Sequence, residues 1–197
     1  MNRKRVRLGK IASAGLLWLA AMVPLTAQSG VLRPDGAQAQ SLTALGARVV
    51  VLVFGATDCP ISNRYVPEVD RLSREFLGKS VEVRWIFPNP GDTPEVVLTH
   101  LNEFKTLTPG LVDSKQELVK QAGASVTPEA AVFAVENGKM RLVYRGRIDD
   151  RYIAFGQERP RATRHELEEA IRAELAGRPA PAPGGEPVGC SIVPRTR

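Results

Sequence analysis

The stretch from Val49 to Glu68 reads VVVLVFGATDCPISNRYVPE: six consecutive apolar residues, most of them β-branched, then a glycine, then a cysteine directly before a segment with helical spacing. A continuous run of this kind marks a strand covered on both faces, as in a parallel or mixed sheet lying between helices. It argues against an all-helical fold. From Pro60 to Lys79 the residues Ile61, Tyr65, Val69, Leu72 and Phe76 recur at spacings of four and three, which is one apolar stripe of a helix. Pro67 falls inside that stripe and is expected to kink it.

Working outward, VEVRWIF (81–87) reads as a second strand. TPEVVLTHLNEF (93–104) reads as a helix with Thr93 as its cap, Pro94 in its first position and Glu95 complementing the dipole. SKQELVKQAG (114–123) is a short helix closed by Gly123. VTPEAAVFAVENGKMRLVYRGRIDD (126–150) holds two β-rich runs joined through Asn137-Gly138, the strongest hairpin signal in the chain. TRHELEEAIRAELAG (163–177) carries a capping box from Thr163 to Glu166 and an apolar stripe at Leu167, Ala170, Ile171 and Leu175. The order is strand, helix, strand, helix, short helix, hairpin, helix. It describes an α/β sandwich in which a parallel start is completed by an antiparallel pair.

The chain has 197 residues, 43% of them apolar, enough for one domain with appendages. Residues 1–27 read as a signal peptide: a basic start with five cations, an apolar run from Ile11 to Ala27, and small residues at its end. An uncleaved membrane anchor is the competing reading. Residues 28–44 are expected as a leader or linker, 45–177 as the folded domain, and 178–197 as a Pro/Gly-rich tail that forms no regular element and carries Cys190. Five of the formal +6 charges sit in the signal segment and leave +1 for the exported chain, so a nucleic-acid partner has little support. Export would place both cysteines where disulfides persist.

A buried strand ending in GATDC, Cys59 at a helix start, Pro67 eight residues later, VTP before the next strand and the Asn-Gly hairpin together resemble the thioredoxin superfamily, in particular its extracytoplasmic redoxins and thiol-disulfide oxidoreductases. The resemblance spans Leu45 to Gly177. It implies a thioredoxin-like three-layer sandwich, a mixed central sheet with flanking helices. It also implies a cis-proline at Pro128 facing the cysteine, with Thr127 and Pro128 shaping a groove in which a substrate pairs as a strand. Where that family has a C-x-x-C dithiol, this chain reads Cys59-Pro60-Ile61-Ser62. The peroxidase pattern P-x-x-x-T-x-x-C is replaced at two places, by Leu52 and Ala56, although Thr57 stands beside the second. The C-x-x-x-C of related copper chaperones ends here at Asn63.

A thiol at a helix start meets unpaired backbone N–H groups and the positive end of the dipole, which favour the nucleophilic thiolate, while Asp58 opposes it if it faces the sulfur. The topology of the resembled fold returns the end of the hairpin to the same place, so Arg145 and Arg147 are candidates to offset that charge; solvated arginines on an edge strand are the alternative. Asp149 and Asp150 follow, as an acid relay or as a polar turn. Cys190 stands on a tail long enough to reach Cys59, either to resolve an adduct, to form a permanent bridge, or to pair with another chain. An inert buried Cys59 is the bland reading. His100 and His165 have no metal-ligand spacing and read as surface residues.

These features point to an exported thioredoxin-fold oxidoreductase with Cys59 as a solvent-reachable nucleophile and Cys190 as resolving cysteine, supported by Thr57, Asp58, Pro60, Ser62, Thr127, Pro128, Arg145, Arg147 and Asp149. A peroxiredoxin-like thiol peroxidase and a non-catalytic binding module with a structural Cys59–Cys190 disulfide are the alternatives. The expected partners are protein or small-molecule thiols and disulfides and an unidentified electron donor, with no nucleic acid and with membrane contact only if the signal segment is uncleaved. No cofactor and no metal is required.

Overall fold

All six residues of the run at 49–54 are buried, and they form the middle of a six-stranded mixed sheet. The computed structural model describes residues 29–195; the expected signal peptide at 1–27 lies outside them. In chain order the elements are β1 (Val31–Leu32), β2 (Val49–Phe54), α1 (Pro60–Arg64), α2 (Val66–Glu75), β3 (Val81–Phe87), α3 (Pro94–Glu103), β4 (Gly110–Asp113), α4 (Glu117–Ala122) and β5 (Val126–Thr127). The hairpin β6 (Glu129–Glu136) and β7 (Lys139–Gly146) follows, then β8 (Tyr152–Ala154), β9 (Gln157–Glu158), α5 (Glu166–Leu175) and β10 (Cys190–Ser191).

The large sheet runs β1-β4-β3-β2-β6-β7, with β2, β3 and β4 parallel, β6 antiparallel to β2, and β7 antiparallel to β6. Successive side chains of a strand point to opposite faces, so β2 feeds two cores. Val49, Val51 and Val53 meet Val69, Leu72 and Phe76 of the α2 segment and Leu167, Ala170 and Ile171 of α5. Val50, Leu52 and Phe54 meet Leu118 and Ala122 of α4 on the other face. Full burial of each large aliphatic or aromatic side chain stabilises this arrangement by about 1.5–3 kcal/mol. The result is the expected three-layer α/β sandwich.

The helical stripe from Pro60 breaks at Tyr65, two residues ahead of Pro67, which leaves α1 and α2 as separate segments. Thr93 caps α3 by accepting from the Val96 N–H, and Gly123 closes α4 in the left-handed region at φ 70°. Asn137 and Gly138 both adopt positive φ in the β6–β7 turn.

Several expectations are corrected. The stretch 28–44 is not merely a leader, since β1 within it pairs with β4 and covers an edge that would otherwise present unpaired N–H and C=O groups. The parallel strand β4 has only four residues and no telling period. The tail does form a regular element: β10 pairs antiparallel with β5, and Ile192 next to it is buried in the core of the α4 face. The capping box at Thr163 does not close. Thr163 donates its N–H and hydroxyl to Asp150, Glu166 turns to Arg147, and α5 begins only after His165. His100 is buried against Phe87 and Phe104, and that burial pushes its pKa down. Among the described residues no helix is long and apolar enough to cross a membrane.

Candidate redox site

The chain leaves β2 through Gly55, where a side chain is excluded because a Cβ would stand 2.8 Å from the Trp85 ring. The next residues are fixed by Asp92, whose Oδ1 accepts from the Thr57 N–H at 3.1 Å and the Thr57 hydroxyl at 2.6 Å. Thr57 is therefore occupied by a carboxylate and is not directed at the sulfur. Cys59 then takes the N-cap position of α1, with Pro60 as the first helical residue. Its N–H returns to the Ala56 carbonyl, and its own carbonyl accepts from Asn63.

Opposite the cysteine the Thr127–Pro128 peptide is cis. The loop before it is shaped by Glu129, a buried carboxylate that accepts from the Ser125 and Val126 N–H groups at 2.8 and 3.3 Å. The Cys59 thiol donates to the Thr127 carbonyl at 3.2 Å, so the expected meeting of Cys59 with the proline loop is present.

Cys190 completes the site. It pairs with Thr127 in the β10–β5 ladder, its carbonyl accepts from the Thr127 hydroxyl at 3.3 Å, and its thiol lies within hydrogen-bonding reach of Cys59. Both cysteines are free thiols here. The docked tail leaves Cys59 0% exposed, which corrects the expectation of a solvent-reachable nucleophile. Cys190 is half-buried and opens into a surface hollow lined by Pro60, Ile61, Arg64 and Phe155.

Burial pushes the Cys59 thiol up. The Ser62 hydroxyl and N–H and the Cys190 thiol and N–H outweigh that effect, so its pKa is lowered below the ordinary thiol value. Ser62 is buried, and its hydroxyl closes no bond of ordinary geometry elsewhere. Ser62 is the third residue of α1, its N–H is a donor that an N-cap acceptor normally takes, and an ionised sulfur at Cys59 would take it. The Thr127 carbonyl favours the protonated thiol, so ionisation exchanges one hydrogen bond for several. Cys190 is pushed up to about 11 by its hydrogen bond to Cys59, by desolvation and by the charges of Cys59 and Asp58. Cys59 is thus the more acidic of the two thiols.

The remaining expected residues are not at the sulfur. Arg145 donates to the Gly123 carbonyl at 2.6 Å and pairs with Glu129 at 3.4 Å. Arg147 forms a buried pair with Glu166 at 2.6 Å, and its guanidinium lies where a Cβ on Gly184 or Gly185 would stand, so it supports the root of the tail. Asp149 accepts from the Tyr65 hydroxyl at 2.5 Å and the Arg151 N–H at 2.9 Å, a buried structural link that ties the junction of α1 and α2 to the loop after β7. Burial raises its pKa. Asp58 is exposed, and its charge reaches Cys190. Three site residues escaped the sequence reading: Glu129, and the pair Asn89 and Gln116, which hold the tail through Val193. Only Glu129 carried a signal, an acid inside the buried run VTPEAAVFAV.

Solved structures with this architecture include a hypothetical protein from Sinorhizobium meliloti 1021, 23% identical, with a TM-score of 0.69 over 82% of this chain and 88% of that one. An uncharacterized conserved protein from Geobacillus kaustophilus is 26% identical, with a TM-score of 0.66 over 90% of this chain and 95% of that one. The pneumococcal exposed lipoprotein thioredoxin of Streptococcus pneumoniae strain TIGR4 is 20% identical, with a TM-score of 0.51 over 75% and 96%. No family model and no curated protein matches the chain. The chain has the thioredoxin-like fold that its sequence led us to expect.

Proposed function

We propose that the protein is an exported thiol-disulfide oxidoreductase in which Cys59 is the nucleophile and Cys190 the resolving cysteine. The observation that carries this reading is the meeting of two cysteines about 130 residues apart in sequence at one proline-flanked strand edge, where the Cys59 thiol donates to the Thr127 carbonyl and Cys190 pairs with Thr127 in the β10–β5 ladder.

With the tail lifted, the Cys59 thiolate attacks one sulfur of a substrate disulfide. The substrate S–S bond breaks, one substrate thiolate leaves and takes a proton, and a Cys59 mixed disulfide remains. Consumption of the Cys59 charge removes the main influences that hold Cys190 protonated, so Cys190 becomes nucleophilic only at this stage. Its thiolate attacks the Cys59 sulfur, the second substrate thiol leaves, and a Cys59–Cys190 disulfide forms. The substrate has gained two electrons and two protons, and the protein has lost them. A reduced dithiol from an external donor restores the starting state.

The test uses an excess of a small aromatic disulfide whose released thiol is coloured. The wild type should release two thiols per chain and finish with an internal disulfide; Cys190→Ser should release one and retain an adduct at Cys59; Cys59→Ser, left with only the outer sulfur, should release at most one and form no internal disulfide. The complete covering of Cys59 favours a second reading, a structural bridge on a non-catalytic module. Wild-type protein that forms no adduct and releases no thiol would establish that reading. Export rests on residues 1–27, and a mature chain still beginning at Met1 in a membrane fraction would replace cleavage with anchoring.

A further inference from the structure

We infer that the chain's own segment 188–193 is a displaceable occupant of the β5 edge, where the resembled fold pairs its substrates as strands, and that this edge selects protein segments of the form Gly-Cys-x-aliphatic in competition with it. This deepens the proposed function by naming the substrate class, and its cysteine position rests on that reading.

The resident segment is held mainly through its backbone. Cys190 and Ser191 pair with Thr127 and Val126, and the Ile192 N–H donates to the Ser125 carbonyl at 2.9 Å. Further along, the Gln116 side chain donates to the Val193 carbonyl at 2.7 Å, and the Val193 N–H donates to the Asn89 side chain at 2.9 Å. Any extended chain presents these groups, so they give affinity without reading sequence.

Sequence is read at two places. A Cβ at Gly189 would stand 2.1 Å from the Thr127 carbonyl oxygen and 2.5 Å from its carbon, both backbone atoms that cannot turn aside, so the position before the cysteine requires glycine. Two residues after the cysteine, Ile192 is buried with Leu118 and Ala122 of α4 and Leu52 of β2, a site that rewards an aliphatic side chain. Ser191 between them is exposed and unread. The root of the tail stays against Arg147, so exchange with a substrate needs only the last residues to lift.

The test uses full-length protein carrying Cys190→Ser, which leaves Cys59 as the single thiol, and follows its alkylation by iodoacetamide with mass spectrometry. Adding Gly189→Ala should expel the tail and speed alkylation about tenfold or more, since each factor of ten in the lifted population raises the rate equally while lifting remains rare. In that variant the redox-inert peptide Val-Gly-Ser-Ser-Ile-Val should slow alkylation again, and Val-Ala-Ser-Ser-Ile-Val should not. If Gly189→Ala disturbs folding, Asn89→Ala with Gln116→Ala removes three tail hydrogen bonds without a new clash and should also speed alkylation. An unchanged rate in both variants, or equal protection by both peptides, overturns the inference. Because neither peptide carries sulfur, selective protection alongside failed two-thiol release would overturn the redox reading alone.

Discussion

Oxidation of Cys59 and Cys190 to a disulfide is expected to stabilise the fold by about 5 kcal/mol. The bridge would close a loop of about 130 residues, and the chain-entropy relation removes about 17 cal/mol/K from the unfolded ensemble for such a loop, which is about 5 kcal/mol at 25 °C. In the reduced protein both cysteines already meet Thr127, Cys59 through its thiol and Cys190 through the β10–β5 ladder, so the tail is already docked. The crosslink therefore orders no further chain in the native state, and the whole effect lies in the unfolded one. For a chain of this length each 1 kcal/mol shifts the Tm by about 2–4 °C, so the oxidised form should melt about 10–20 °C above the reduced form. Calorimetric scans of oxidised, reduced and Cys190→Ser protein provide the check, with the last two expected to melt close together. An oxidised form within about 2 °C of the reduced form, equivalent to roughly 1 kcal/mol or less, would refute the reasoning, because it would mean that bridging must first order a tail that is not docked.

Ser62→Ala should raise the pKa of Cys59, since it deletes a hydroxyl that favours the thiolate; the thiolate absorbance near ~240 nm, followed against pH in Cys190→Ser protein, reads the shift, about one unit if the lost bond is worth about 1.4 kcal/mol. Ser62→Cys in the Cys190→Ser background restores a resolving sulfur at the C-x-x-C spacing and should return thiol release from one to two per chain in the coloured-thiol assay. Asp150→Asn should destabilise the protein by about 1–3 kcal/mol near neutral pH, because the carboxylate accepts from two backbone N–H groups and the Thr163 hydroxyl. Burial pushes the Asp150 pKa up, but those bonds and Arg159 outweigh it and hold it below the usual carboxylate range. A depressed folded-state pKa gives stability that is present above the unfolded value of about 3.9 and lost as the pH falls through the folded one, so the two proteins should converge only in strong acid, as denaturant melts at several pH values would show.

The parts of the fold legible in the sequence are those whose cause is local. The run at Val49–Phe54 needs two covered faces, Asn137-Gly138 accepts positive φ, and Thr93 can close only one helix end. The parts that escaped depend on distant partners. Two residues at Cys190 and Ser191 carry no periodicity, and their strand exists because β5 offers an open edge and the α4 face has room for Ile192. Arg147 and Glu166 are each ordinary in sequence, and only the packing of β7 against α5 turns them into a buried pair. The same holds for Thr163, whose capping role is lost to Asp150, a competitor 13 residues earlier. At the site, position 59 and the proline loop were readable, whereas the covering of the sulfur followed from a contact that no local pattern encodes.

Since the hollow beside Pro60 and Phe155 reaches Cys190 and leaves Cys59 covered, the oxidised pair would be chemically lopsided. An incoming reductant meets the outer sulfur first, and the inner one, with its lowered pKa, departs more readily when that bond is split. Recharging and substrate turnover would then use different doors into one site, which allows the electron donor and the substrate protein to be recognised by separate surfaces.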